Sequence, residues 1–123
     1  MRKSLILFII ISFILAGCWG EKTIEFSGKT KNWSVKYISH IYSSNSEGIE
    51  YTIRYIGDGP APKTIDYKLG SNSVTGRTLD DKSFSIKSNG GSCSGCGVTD
   101  EHDDIEATIK WNGHKETFIL TTE

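Results

Sequence analysis

Methionine is nearly missing from this chain: Met1 is the only one in 123 residues. Copper sites built on thioether ligands are therefore excluded. Prolines number two and cysteines three, so a densely cross-linked scaffold is excluded as well. The longest apolar run, Leu5 to Ala16, holds about 12 residues, short of the roughly 20 that span a bilayer as a helix. Nowhere do apolar residues recur at the i, i+3, i+4, i+7 spacing of an amphipathic helix. No Gly-x-Ser-x-Gly elbow, His-Glu-x-x-His pair or phosphate-cradling glycine loop before a helix occurs. No stretch of sequence concentrates Lys or Arg, so nucleic acid is not an expected partner.

The N-terminus carries the most specific pattern. Met1-Arg2-Lys3 precedes the short apolar run, which ends in Leu15-Ala16-Gly17-Cys18. A basic start, a short apolar middle and small residues before a break form the layout of an export signal. The last four residues resemble the lipobox of bacterial lipoproteins, whose cysteine thiol receives a diacylglyceryl group before the signal is cut away. Small residues fit the narrow signal-peptidase site, and only a cysteine thiol can form the thioether. The expected organisation is a signal peptide at 1–17, lipidated Cys18 with a short tether at 18–22, and one domain at 23–123. Cleavage leaves 106 of the 123 residues, with 12 basic against 15 acidic side chains. That is one domain's worth of chain. An acidic balance gives no electrostatic pull toward an anionic bilayer, so attachment rests on the lipid, and two acyl chains anchor stably where one is marginal. Four extended residues reach about 14 Å, which places the domain close against the extracytoplasmic face of the cell membrane.

The rest of the chain alternates. Trp33, Val35 and Tyr37 share one parity; Ile49, Tyr51, Ile53 and Tyr55 another run; then Ile65, Tyr67 and Leu69; Phe84 and Ile86; and Ile105, Ala107, Ile109 and Trp111. A period of two puts alternate side chains on one face, so each run predicts a strand with one buried side. Asn112-Gly113 between two such runs predicts a two-residue hairpin, pairing Trp111 with His114, Ile109 with Glu116, Ala107 with Phe118 and Ile105 with Leu120. Lys110 then faces Lys115, a small cost on an exposed face. Further breaks fall at Ser43 to Gly48, at Gly57 to Pro62 and in the glycine-rich stretch Asn89 to Gly97. About seven short strands in some 100 residues predict an all-β, immunoglobulin-like antiparallel sandwich, with a small barrel as the alternative.

The lipobox resembles that of a group of small exported lipoproteins from low-GC Gram-positive bacteria. So do Phe26-Ser27-Gly28, Asn32-Trp33-Ser34-Val35-Lys36-Tyr37, Tyr51-Thr52-Ile53-Arg54-Tyr55-Ile56-Gly57 and Ile109-Lys110-Trp111-Asn112-Gly113-His114-Lys115-Glu116-Thr117. The likeness covers most of the mature chain. Its motifs are strand and turn motifs, so it implies a fold and carries over no catalytic residue; the cysteine pair lies outside it.

Cys93-Ser94-Gly95-Cys96 is the one constellation with chemical potential, followed by the acidic run Asp100-Glu101-His102-Asp103-Asp104. The plain reading is a disulfide closing a tight loop outside the cytoplasm, where thiols oxidise. A second is a metal site using Cys93, Cys96 and His102. A third is thiol–disulfide exchange, which the missing helix and the neighbouring carboxylates disfavour. Asp80-Asp81 and the run at 100–104 read as solvated turn carboxylates rather than a calcium loop. His40 and His114 are isolated, and Trp33, Trp111 and the five tyrosines read as core and cross-strand packing. Asn32-Trp33-Ser34 has the form of a glycosylation sequon, of little weight in bacteria. No cofactor is expected. The expected function is a membrane-anchored, non-enzymatic binding module for an envelope protein or ligand. The alternatives are a metal-binding or thiol-redox lipoprotein using Cys93 and Cys96, and a small hydrolase resting only on generic carboxylates.

Overall fold

The alternating runs become strands wherever one face can be buried. The computed structural model describes residues 22–94 and 97–122, and within them eight strands run in the order β1 (Lys22–Lys29), β2 (Trp33–Ser43), β3 (Ser46–Tyr55), β4 (Thr64–Leu69), β5 (Asn72–Thr78), β6 (Ser85–Ser94), β7 (Ile105–Trp111) and β8 (His114–Leu120). They form two four-stranded sheets, β1-β2-β3-β6 and β5-β4-β7-β8, antiparallel throughout. This is the expected immunoglobulin-like antiparallel sandwich, an architecture whose members need not share one strand order. The barrel alternative is overturned: the sheets stay separate, joined at one corner by a bridge in which the backbones of Ser27 and Thr121 exchange hydrogen bonds of 2.9 and 3.0 Å. Gly28 permits that approach, because a Cβ there would stand 2.8 Å from the Leu120 side chain and 3.0 Å from the Ile119 carbonyl.

Both inner faces are apolar. Phe26, Trp33 and Ile53 of the first sheet and Leu69, Ile109 and Leu120 of the second are fully buried against one another. At one end Trp33 sits edge-to-face with Tyr55 and Trp111, ring centroids 5.2 and 5.3 Å away, an arrangement favoured by the aromatic quadrupoles. Its indole N–H is buried with no hydrogen-bond partner among the described residues. Midway along the sandwich, the Tyr51 and Tyr67 hydroxyls meet at 2.6 Å across the two sheets, so each satisfies the other in the interior.

The β7–β8 hairpin has the register expected from Asn112-Gly113, from Trp111↔His114 to Ile105↔Leu120 with Lys110 opposite Lys115. Both turn residues have positive φ, 46° and 82°. Four expectations are corrected. An additional strand, β5, has no clean alternation because it is an edge with one face exposed and the other only partly buried. The break at Ser43 to Gly48 shrinks to a turn at Ser44-Asn45, since Glu47 finds buried partners. Phe84 leaves the strand assigned to it: its φ is +53° and its ring is exposed, at the end of a turn in which its N–H bonds the Asp80 carbonyl. Finally, Asn89 to Ser94 is strand rather than loop, because β3 supplies a pairing partner along its length.

Candidate functional site

The chain enters the sandwich at one end, and Cys93 on β6 and the loop carrying His102 lie at that same end. Lys22 opens β1 opposite Ile41; the Ser44-Asn45 turn, the end of β6 and the loop from 97 to 104 lie beside it. The Lys22 ammonium stands 3.9 Å from the Glu101 carboxylate, and the Thr122 hydroxyl donates to the Glu101 carbonyl at 3.2 Å. Cys18 lies outside the described residues.

Cys93 sits on β6 with Glu47 of β3 as its register partner. Its side chain, and Cys96 altogether, lie outside the described residues, so the disulfide, metal and exchange readings of the pair concern atoms beyond them. His102 is brought to the same loop, with its side chain 86% exposed and 3.7 Å from the adjacent Glu101 carboxylate. The acidic run is organised by its own backbone. Asp100 accepts from the His102 N–H at 2.9 Å and Asp103 from the Asp100 N–H at 2.9 Å, while the Asp103 N–H donates to the Asp100 carbonyl. These are local side-chain turns. No group of three or more His, Cys, Asp and Glu side chains converges on a metal-sized space among the described residues. Asp80 behaves likewise: the Ser83 N–H and hydroxyl and the Lys82 N–H donate to it, holding its carboxyl below the usual range.

What anchors this end is Glu47, which sequence reasoning passed over. It is 8% exposed. Its Oε2 accepts from the Ser39 hydroxyl at 2.5 Å and the Thr99 N–H at 3.0 Å, and its Oε1 accepts from the Thr99 hydroxyl at 3.1 Å. A buried carboxylate is tolerated without a cation only when several donors face it, and among the described residues three neutral donors and no cation face Glu47. The consequence is mechanical: Glu47 holds the segment after Cys96 to β3 through Thr99, while the strand end bearing Cys93 is held there by its own ladder. Burial first, then the negative charge of Glu47, push the Tyr37 hydroxyl up to about 12. A signal for this cluster was available, because Ser39 and Glu47 stand on the apolar parity of their strands, where polar side chains need partners.

His40 lies on the outward face of the first sheet, with Nε2 3.0 Å from the Glu50 carboxylate. His114 packs against Trp111 at a centroid distance of 5.2 Å. The two are brought to no common site: His40 is at the β1 entry end of its sheet and His114 at the opposite end of the other. Asn32, of the sequon, donates to Glu116 at 2.7 Å and ties the β1–β2 connection to β8.

No protein-family model, curated protein or solved structure matches this chain.

Proposed function

We propose that the chain is a bacterial lipoprotein precursor, cut before Cys18 and lipid-anchored on the extracytoplasmic face of the cell membrane. Its sandwich then acts as a non-enzymatic binding module for another envelope component. The observation that carries this reading is the coincidence of Met1-Arg2-Lys3, the short apolar run and Leu15-Ala16-Gly17-Cys18 at the spacing of a lipoprotein signal. The start of β1 at Lys22 supports it, since only three residues, 19–21, lie between the proposed anchor and that strand. Most large apolar residues of the sandwich are buried in its own core, with Tyr42, Ile56, Phe84 and Ile119 exposed, and Asp100 and Asp103 engage the backbone of their own loop; the outward faces are the surface available to a partner.

Intact mass of the protein extracted from membranes tests the placement. Loss of residues 1–17 and a diacylglyceryl increment on Cys18 are expected; retention of Met1, or absence of added lipid mass, overturns it. Cross-linking in intact cells followed by mild detergent extraction tests the binding role. A stoichiometric complex is expected, and recovery of the protein alone counts against the module.

A further inference from the structure

Sequence order scatters the basic residues, but strand register does not. On the outward face of the first sheet, one transverse row holds Ser27, Lys36, Thr52 and Lys87, and the next outward row toward the Trp33 end holds Lys29, Ser34, Arg54 and Ser85. Each of the four strands thus contributes one cation: Lys29 from β1, Lys36 from β2, Arg54 from β3 and Lys87 from β6. All four are exposed, and no acidic residue stands in either row. The acids of the row above are already engaged. Glu25 meets the Lys36 ammonium at 3.2 Å, and Glu50 meets His40 at 3.0 Å. Lys29, Arg54 and Lys87 have no ion-pair partner among the described residues.

The arrangement is a checkerboard. Like charges directly opposite on neighbouring strands repel; here each neighbouring pair is offset by a row or separated by Thr52, so the cluster is dense without that penalty. Strands about 4.8 Å apart make the band about 14 Å long, and outward rows lie about 6.8 Å apart. Between Lys36 and Lys87 the sheet surface dips into a depression of about 390 Å³, lined also by Thr52, Ser88, Asn89 and, from the row above, Glu50, whose carboxylate meets His40. The neutral donors in its lining can complete hydrogen bonds to an anion that the lysines attract.

We propose that this band is the binding surface of the module and that its ligand is a linear polyanion carrying repeated phosphate groups. The length of the band fits a chain of successive anionic groups rather than one small ion. The band occupies the half of the sheet remote from the start of β1, so an anchor at Cys18 would hold it away from the bilayer headgroups. The inference rests on the binding-module reading and specifies its ligand.

The test is titration of the full chain, purified in detergent, with inorganic polyphosphate at a series of salt concentrations. Saturable binding is expected, with log affinity falling against log salt at a slope of roughly −3 for four contacts to a single-stranded polyanion. Lys36→Gln, Arg54→Gln and Lys87→Gln together should lower affinity at least tenfold and bring the slope toward −1. Lys68→Gln with Lys110→Gln, on the other sheet, should change affinity less than twofold. Unchanged circular dichroism of these surface variants keeps folding apart from binding. The proposal is overturned by no saturable binding at low salt, by equal loss in both variants, by tighter variant-sensitive binding to duplex DNA, or by variant-sensitive retention on phosphatidylglycerol vesicles without polyphosphate binding. The mass of Cys18 and the cross-linked complex are separate readouts, so either reading can fail while the other stands.

Discussion

Among the described residues, the Glu47 carboxylate is met by three neutral donors, from Ser39 and Thr99. Truncating it leaves those donors without an acceptor. Glu47→Ala is therefore expected to lower stability by about 2–3 kcal/mol, the cost of stranding buried polar groups. The signature that separates this from general loosening is local: hydrogen exchange of the Thr99 amide should accelerate more than that of amides in β7, read by mass spectrometry or NMR. Gly113 is a residue-scale case of a different kind. Its φ is +82° and a Cβ there meets nothing within 4 Å, so the cost of Gly113→Ala is torsional, about 1–2 kcal/mol. A drop in the urea midpoint with an unchanged m-value checks it; no drop would mean that the hairpin accommodates another turn type.

Among the elements, β3 and β4 are coupled across the core by the Tyr51–Tyr67 hydroxyl pair. Tyr51→Phe strands the Tyr67 hydroxyl and should cost about 1–2 kcal/mol, whereas removing both hydroxyls should cost less than the two single losses added together. A double-mutant cycle in urea measures the coupling, and additive losses would remove the pair from the account. The elements also show where sequence is readable. β7 and β8 were legible to the residue, because alternation supplies the buried face and Asn112-Gly113 sets the loop length, which together leave one register. β5 was not, because its outer residues are polar and its inner face is only partly covered, so no period of two marks it. β6 beyond Asn89 was hidden for a related reason. Gly90, Gly91, Ser92 and Ser94 have no strand propensity of their own, and their extended form comes from the ladder that β3 offers.

For the whole molecule, alkaline pH is the expected point of failure. The Tyr37 hydroxyl is raised from an ordinary value of 10.0 to about 12 by burial and by Glu47; Tyr67 is raised as well, by burial and then by its bond with Tyr51. The native state holds these protons more tightly than the unfolded chain, so ionisation favours unfolding. Stability is intact below about pH 10 and declines as pH climbs from 10 toward 12. Urea midpoints measured across that interval should fall, and Tyr37→Phe should flatten part of the decline. A midpoint independent of pH there would show that the native state holds these protons no more tightly than the unfolded chain.

Of the candidate site, sequence alone determined which residues are present, that strands alternate around one core, and the signal pattern ending at Cys18, because each of these is encoded by neighbours along the chain. It could not place Lys29, Lys36, Arg54 and Lys87 in one band, nor bring Ser39 and Thr99 to Glu47. Those groupings join residues up to 60 positions apart. Only the pairing of strands, which fixes what lies beside what across a sheet, could decide them.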